Sequence, residues 1–275
     1  MHNSFKAIFK LSNKYIVLAT PLILFSLISS VYLSVSLNGK LLNILIAIVL
    51  LLLMSGAFVA GWFNMVKCAI VSPPEEDPNS LLKEFPSGVG EYFLSALGLI
   101  VNSFIFMAIA LTAAYGVGLK LIGDPEISGE SLSKAIQNAE ALKEFLASLS
   151  AEQLAQLNHW NLLLLGVMAI AYFLLILYLP AMFFKDKNPL KAFWISIKDI
   201  FGRKFFVTLG IYLLVFVVNF VLSILAALSV GNMIMNFVVT LTNFYCLVIF
   251  AIGIFYYYYN NFVRSQLGQN FDTRV

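Results

Sequence analysis

Six long apolar stretches constrain this chain more than any other feature, because each is long enough to cross a lipid bilayer. The hydrocarbon core of a bilayer is about 30 Å thick, and an α-helix needs about 20 apolar residues to span it. The stretches lie near residues 15–37, 41–66, 92–119, 161–184, 205–229 and 233–259. Since 61% of the residues are hydrophobic and 11% are charged, polar surface cannot cover these stretches in water. We therefore predict an all-α membrane protein with about six transmembrane helices, in a single polytopic domain covering residues 1–275.

The first stretch has a second interpretation, because it follows three lysines, as the apolar region of a signal peptide follows basic residues. These lysines are Lys6, Lys10 and Lys14. The apolar region of a signal peptide has roughly 7–15 residues and is followed by a small-residue cleavage site. Residues 15–37 are longer, and no clean cleavage site follows them. We therefore expect a retained first span.

The distribution of basic residues predicts the orientation, because cytoplasmic loops of membrane proteins carry an excess of Lys and Arg. With the N-terminus in the cytoplasm, thirteen of the 17 Lys and Arg residues lie on the inner side. The four on the outer side are Lys40, Lys120, Lys134 and Lys143. We therefore expect a multi-pass protein of the plasma membrane (the inner membrane in a Gram-negative cell) with both termini in the cytoplasm.

The inner connection between the fourth and fifth spans has the pattern of an amphipathic helix, residues 189–203. Its apolar residues recur at helical spacing, and they are Leu190, Phe193, Trp194, Ile197, Ile200 and Phe201. Asn188 suits the N-cap and Pro189 the first turn. We predict that this helix lies in the cytoplasmic membrane interface, with lipid-interface candidates Lys191, Trp194, Lys198, Arg203 and Lys204. Residues 81–85, between the second and third spans, form a looser copy of this interfacial segment.

The outer connection, residues 123–160, has helical periodicity, unlike the short turns predicted at residues 38–40 and 230–232. One helix is predicted over 131–149, and Ser150 with Gln153 resembles a capping box that opens a second helix. Six acidic residues make the connection acidic: Asp124, Glu126, Glu130, Glu140, Glu144 and Glu152. We predict a short helical cap outside the membrane, which folds back on the spans or is offered to a partner.

The span interiors lack the groups that membrane chemistry needs. None of the six cores contains Asp, Glu, Lys, Arg or His, which argues against proton relays and voltage sensing. His2 and His159 are the two histidines, too few for paired haem ligation or a zinc-protease helix. The two cysteines, Cys68 and Cys246, do not form a disulfide framework. We expect no enzyme, no cofactor, no metal site and no nucleic-acid partner.

Polar and structure-breaking residues inside the spans leave two interpretations open. Asn102, Asn219, Asn236 and Asn243 either hydrogen-bond to neighbouring helices or line a substrate path. Pro21 and Pro180 are expected to kink or break the first and fourth spans, as in ordinary spans or in the broken helices of transporters. Small residues in the second span, Gly56 and Gly61 with Ala57 and Ala60, predict close packing against another helix.

Several short motifs resemble those of a known group of membrane proteins. They are Gly61-Trp62 before Lys67, Phe85-Pro86-Ser87-Gly88 before the third span, and the run Asn-Pro-Leu-Lys-Ala-Phe-Trp at 188–194. With six spans, they resemble uncharacterised prokaryotic six-helix integral membrane proteins, which are similar to the membrane domain of some glycerophosphodiester phosphodiesterases. The outer helical insertion has no counterpart in that family. The resemblance implies the six-helix architecture and assigns no catalytic or binding residue.

Together these features favour a non-enzymatic membrane protein that serves as a lipid-interacting or scaffolding accessory to other membrane components. Its expected partners are membrane lipids, and itself or another membrane protein through the external insertion. The alternative is a transporter or permease subunit for an apolar or lipidic substrate, which does not require charged residues in the spans.

Overall fold

A computed structural model describes residues 2–36, 41–71, 77–124, 139–202, 204–229 and 231–264. These residues form helices and turns and contain no β-strand. The α-helices are α1 (His2–Lys14), α2 (Ala19–Ser36), α3 (Leu41–Val71), α4 (Glu84–Leu121), α5 (Ala139–Ser148), α6 (Ala151–Leu175), α7 (Tyr178–Phe184), α8 (Pro189–Ile200), α9 (Phe205–Leu228) and α10 (Met233–Tyr258). Two 3-10 helices, Ile16–Leu18 and Pro78–Lys83, precede α2 and α4, and a π-helical turn, Tyr259–Val263, follows α10.

Six helical segments of the described chain are long and apolar enough to cross a membrane. They are Ile16–Ser34, Leu42–Val71, Pro78–Leu121, Ala151–Phe184, Phe205–Leu228 and Met233–Val263. Few of their residues are buried within the protein itself, as expected for helices whose remaining surface faces lipid. The prediction of an all-α membrane protein is confirmed.

Both span prolines lie beside a helix break, as the sequence predicts. Pro180 lies in α7, and the turn at residues 176–177 separates α7 from α6. Pro21 lies in the first turn of α2, directly after the 3-10 helix Ile16–Leu18. Proline has no N–H to continue the helical hydrogen bonds of the preceding turn, so each helix restarts with proline near its beginning. The Leu18 carbonyl accepts a hydrogen bond from Trp62 Nε1 at 2.8 Å.

The two long connections differ in detail from the sequence prediction. The capping box exists, because Gln153 N donates to Ser150 Oγ at 3.2 Å and Ser150 N to Gln153 Oε1 at 3.0 Å. The helix that it opens is not a separate short one, since α6 continues directly into the fourth span. Likewise α4 begins at Glu84 and runs through Pro86, which the first turn of a helix tolerates. Residues 125–138 of the external insertion lie outside the described residues.

The chain divides into two compact units. The first comprises residues 1–102 and 174–275, and the second comprises residues 103–173. Stacked aromatic rings pack against one another in the first unit: the ring centres of Phe25 and Phe58 lie 4.3 Å apart, and those of Phe63 and Phe255 lie 5.3 Å apart. Such ring pairs contribute about 0.5–1.5 kcal/mol each beyond their buried area.

Small residues bring α3 and α4 close together in the first unit. A Cβ built at Gly88 would lie 2.4 Å from Asn64 Cβ and 2.7 Å from the Ala60 carbonyl oxygen. Gly61 meets the Phe85 ring in the same way, at 2.8 Å. Close packing of the small-residue face predicted on the second span is therefore observed.

In the second unit, one tryptophan joins α6 to the end of α4. Trp160 Nε1 donates to the Gly123 carbonyl at 3.1 Å, and a Cβ at Gly118 would lie 2.3 Å from the Trp160 ring. Gln156 adds hydrogen bonds to the carbonyls of Ile122 and Asp124, at 3.1 and 2.9 Å. These contacts fix the first turns of α6 against the chain that leaves α4.

Candidate functional site

Helix α8 begins at a well-formed cap. The Asn188 side chain accepts hydrogen bonds from the backbone N–H groups of Leu190 at 3.0 Å and Lys191 at 3.3 Å. The Asp186 carboxylate accepts one from Asn188 N at 2.8 Å. Because the first N–H groups of a helix have no intrahelical partner, these bonds fix where α8 starts. The predicted cap at Asn188 is confirmed.

One face of α8 packs against the rest of the first unit. Its fully buried residues, Ala192, Ser196 and Ile200, recur every four positions and so share a face. At the start of the helix, Pro189 fits against α4, where a Cβ at Gly98 would lie 2.6 Å from Pro189 Cγ. Helix α8 is therefore docked along its length, on small side chains that allow close approach.

The opposite face of α8 is exposed, aromatic and basic. We call it the outer face, because it points away from the protein, and the name does not refer to a side of the membrane. Leu190, Trp194 and Phe201 are each more than 60% exposed. Lys191 and Lys198 are exposed beside them, and at 3.6 residues per turn they lie next to Trp194 around the helix. Phe206, at the start of α9, is 83% exposed, and Lys204 beside it is also exposed. Arg203, the remaining interface candidate, lies outside the described residues.

The apolar stripe predicted for α8 is shared between these two faces. Ile200 is buried, Phe193 and Ile197 are half-buried, and Trp194 and Phe201 are exposed. The stripe is wide enough to serve both the protein and a second apolar environment. Hydrophobic periodicity indicates which residues of α8 are apolar, but it does not indicate which of them pack against the protein and which face another apolar environment.

A charged latch holds the far end of α8, and it consists of Lys185, Asp199 and Tyr258. Lys185 Nζ lies 2.9 Å from Asp199 Oδ2, and the Tyr258 hydroxyl donates to the same oxygen at 2.6 Å. The Lys185 ammonium also lies 5.4 Å from the centre of the Tyr258 ring, in cation–π contact. The charged side chains are 17% and 16% exposed, so solvent screens this pair little. The latch joins the ends of α7, α8 and α10.

A second polar cluster, around Tyr92, lies where the end of α3 meets the start of α4. Lys67 Nζ donates to the Tyr92 hydroxyl at 2.7 Å, and Lys187 Nζ lies 2.8 Å from Glu91 Oε1. Both ammonium groups lie near the Tyr92 ring, 5.1 and 5.0 Å from its centre. Lys187 belongs to the segment between α7 and α8, so this cluster borders the start of α8.

The four span asparagines are placed in different ways. Asn102 Nδ2 donates to the Tyr178 hydroxyl at 3.3 Å, which joins α4 to α7. Asn219 Nδ2 donates to the Val215 carbonyl of its own helix at 2.8 Å, and its side chain is exposed. Asn236 and Asn243 are exposed on α10. The structure therefore brings Asn102 alone among the four to a side-chain partner on another helix in the described part of the chain.

Sequence reasoning missed the latch and the Tyr92 cluster. It assigned their lysines to the basic inner side without partners, although Asp199 is the sole acidic residue of α8 and offered a signal. Among the residues that the structure describes, no group of three or more His, Cys, Asp and Glu residues could hold a metal ion. In the latch and the Tyr92 cluster, lysine ammonium groups pair with carboxylates and tyrosine hydroxyls of the protein itself. The outer face of α8, in contrast, presents apolar rings beside exposed ammonium groups.

Comparisons of the chain with models of protein families, with curated proteins and with solved structures gave no match. The resemblance to six-helix prokaryotic membrane proteins is not tested by these comparisons and stays a prediction.

Proposed function

We propose that this protein is a non-enzymatic membrane accessory that binds anionic lipid through the outer face of α8. The observation that carries the proposal is the pairing of exposed rings with exposed lysines on a helix whose other face is docked. Tryptophan favours the boundary between hydrocarbon and headgroups, and lysine ammonium groups favour anionic headgroups. On α8 the two kinds of side chain lie side by side, as a lipid interface requires.

The electrostatic part of this binding depends on Lys191, Lys198 and Lys204. A lysine near an anionic membrane surface contributes about 1 kcal/mol, and the contribution falls off within a Debye length. Three such residues favour an anionic over a zwitterionic headgroup layer by a few kcal/mol at most. The aromatic side chains contribute binding free energy that does not depend on salt, because it comes from the removal of apolar surface from water.

The latch and the cap give the lipid-binding face a fixed position. Because α8 is held at Pro189 and at Asp199, its outer face does not have to be ordered when lipid binds. This pre-organisation favours a scaffolding role, in which α8 recruits anionic lipid around a rigid bundle. The family resemblance implies the same six-helix arrangement and does not oppose this role.

The orientation that we propose follows the basic residues. With α8 at the cytoplasmic leaflet, its lysines meet the leaflet that carries anionic lipid in a plasma membrane, and both termini are cytoplasmic. Helix α5 and the first turns of α6 then lie outside, where they offer a surface to a second copy of the chain or to another membrane protein. The transporter alternative has no comparable support among the described residues, since Asn102 alone of the four span asparagines has a side-chain partner on another helix.

Lipid retained during purification tests the proposal. The protein is purified in mild detergent from a membrane that contains phosphatidylglycerol and a zwitterionic lipid, and bound lipid is quantified by mass spectrometry. We expect the Lys191→Gln/Lys198→Gln variant to retain several-fold less phosphatidylglycerol than the wild type, because two favourable charges are lost. Lys143→Gln, an exposed lysine on α5, serves as the control and is expected to retain the wild-type amount. Equal retention by the α8 variant and the control would count against the proposal.

A further inference from the structure

The N-terminal half of α10 contributes no buried residue to the protein. The buried residues of this helix all follow its midpoint, and they are Val248, Ala251, Ile252, Phe255, Tyr257 and Tyr258. Over residues 233–243 none is buried. Helix α9, which precedes α10, is packed even less, because 6% of the residues in its apolar stretch are buried, the smallest share among the six spans. The N-terminal half of α10 therefore presents its side chains to the membrane.

Three polar residues share one face of this half of α10, and we call them the asparagine stripe. Asn236, Thr240 and Asn243 stand at positions i, i+4 and i+7, which lie on the same side of a helix, and all three are exposed. The Thr240 hydroxyl donates to the Asn236 carbonyl of its own helix at 2.8 Å. The side-chain amides of Asn236 and Asn243 form no hydrogen bond with the residues that the structure describes.

Asn243 lies at the depth where an unpaired amide is least favourable. Helix α10 begins at Met233, so at 1.5 Å per residue Asn243 lies about 15 Å along it, half the thickness of a hydrocarbon core of about 30 Å. Hydrocarbon offers no hydrogen-bond partner, and a polar group that stays unsatisfied there costs free energy. Asn219 of α9 avoids part of this cost, because its Nδ2 donates to the Val215 carbonyl at 2.8 Å. Asn243 has no such bond and needs a partner from outside the described chain.

The apolar side chains around the stripe do not by themselves favour protein over lipid. Ile234 and Phe237 are 78% and 63% exposed, and lipid tails are as apolar as these side chains. Transmembrane helices associate instead through close packing and through hydrogen bonds between polar side chains such as asparagine. Asn243 therefore makes this face of α10 a contact for another helix.

A second copy of the chain meets the requirements of Asn243 directly. An asparagine amide carries both donors and an acceptor, so two identical amides satisfy each other. Two copies insert into the membrane with the same orientation, because the same basic residues orient both. Around a twofold axis along the membrane normal, each residue near the axis then meets its counterpart at the same depth. A different partner needs a polar side chain at the depth of Asn243, whereas a second copy always has one.

We infer that two copies of this chain associate within the membrane through the asparagine stripe of α10, with the two Asn243 amides hydrogen-bonded across the interface. The stripe carries no charge, as a symmetric contact in hydrocarbon requires, because two like charges would repel each other there. The inference goes beyond lipid binding and uses no residue of the outer face of α8.

Energy transfer between labelled copies tests the inference on the full-length protein. Copies that carry a donor or an acceptor fluorophore at the C-terminus are mixed in phosphatidylcholine vesicles, and energy transfer is measured as the protein is diluted with lipid. We expect Asn243→Leu to weaken dimerisation about tenfold, because the reciprocal hydrogen bonds are lost. Asn243→Gln is expected to keep most of the affinity, since glutamine has the same amide group.

Thr242→Val is the matched control for Asn243→Leu. Thr242 is exposed beside Asn243 at nearly the same depth, but it lies about 100° away around the helix. Its hydroxyl already donates to the Val238 carbonyl at 2.8 Å. We expect Thr242→Val to dimerise as the wild type does. Equal energy transfer in Asn243→Leu and the wild type at every dilution would overturn the inference.

Disulfide cross-linking identifies the face of α10 that forms the contact. Single cysteines replace Asn236 or Val238 in a Cys68→Ala/Cys246→Ala background, and the vesicles are oxidised. We expect covalent dimers from Asn236→Cys and few from Val238→Cys, which lies on the opposite side of α10. Cross-linking at Val238 in preference to Asn236 would contradict the proposed interface. A lower unfolding temperature of Asn243→Leu without any change in energy transfer would show that the chain itself covers the stripe, and would also overturn the inference.

Discussion

Replacing Asp199 by alanine is expected to destabilise the protein by about 3 kcal/mol, because it leaves the Lys185 ammonium group without its counter-ion in a mostly buried position. The Tyr258 hydroxyl loses its acceptor in the same variant. Since the latch joins three helix ends, the last turn of α8 loses its polar attachment to α7 and α10. The midpoint of thermal unfolding in detergent, followed by circular dichroism, is expected to fall by several degrees.

Two further variants separate the latch from a general effect of lost charge. Glu91→Gln breaks the exposed pair with Lys187 and is expected to change stability by less than about 1 kcal/mol. Lys185→Met/Asp199→Leu removes both charges, so it is expected to be more stable than Asp199→Ala alone. If Asp199→Ala unfolds at the wild-type temperature, the latch does not hold α8.

Replacing Gly88 by alanine is expected to cost about 1–3 kcal/mol, because the added methyl group meets atoms that cannot yield. Its Cβ would lie 2.7 Å from the Ala60 carbonyl oxygen, which is backbone, and 2.4 Å from Asn64 Cβ. Helices α3 and α4 would have to separate, which also lengthens the hydrogen bond from Asn64 to the Glu84 carbonyl. The thermal unfolding midpoint and the yield of folded protein both measure this loss.

Gly90 provides the control for this substitution on the same helix. A Cβ at Gly90 meets no atom within 4 Å, so alanine fits there. Because alanine has the higher helix propensity by about 1 kcal/mol, Gly90→Ala is expected to be neutral or stabilising. Equal unfolding temperatures for Gly88→Ala and Gly90→Ala would show that α3 and α4 are not in close contact at Gly88.

The spans were predictable from sequence because lipid selects for length and apolar composition, and both can be read without tertiary contacts. The breaks beside Pro21 and Pro180 were predictable for a similar local reason, the missing proline N–H. The cap at Asn188 and the capping box at Ser150 also depend on neighbours within three residues.

The polar partners were not predictable, because they join residues that are distant in sequence. Tyr258 lies 59 positions from Asp199, and Tyr92 lies 25 positions from Lys67. The distribution of basic residues predicts on which side of the membrane such lysines lie. It does not predict which residues accept their hydrogen bonds. Which face of α8 is buried also depends on packing, here on Ala192 and Ser196, which hydrophobic periodicity does not weigh.

Helix α1 was missed for a different reason. Its lysines predict the orientation of the chain, but they do not predict the packed face that lies between them. In the structure, Ser12 is buried, and Ile8 Cγ2 lies 3.8 Å from a Cβ built at Gly253 of α10. Asn13 accepts a hydrogen bond from the Tyr245 hydroxyl. Lysines at intervals of four residues leave room for such a packed face on the same short helix.

The central claim, that the outer face of α8 lies in the lipid interface, is tested most directly by the fluorescence of Trp194. The chain has three tryptophans. Trp62 and Trp160 are 4% and 7% exposed, whereas Trp194 is 62% exposed and is therefore the accessible reporter. The protein is reconstituted into vesicles and exposed either to phospholipids brominated near the headgroup or to aqueous iodide, with Trp194→Leu as the control for the buried rings. We predict that the brominated lipid quenches the wild-type fluorescence strongly and that iodide quenches it little. In Trp194→Leu the quenching by the brominated lipid is expected to disappear. Quenching of Trp194 by iodide but not by brominated lipid would contradict the claim.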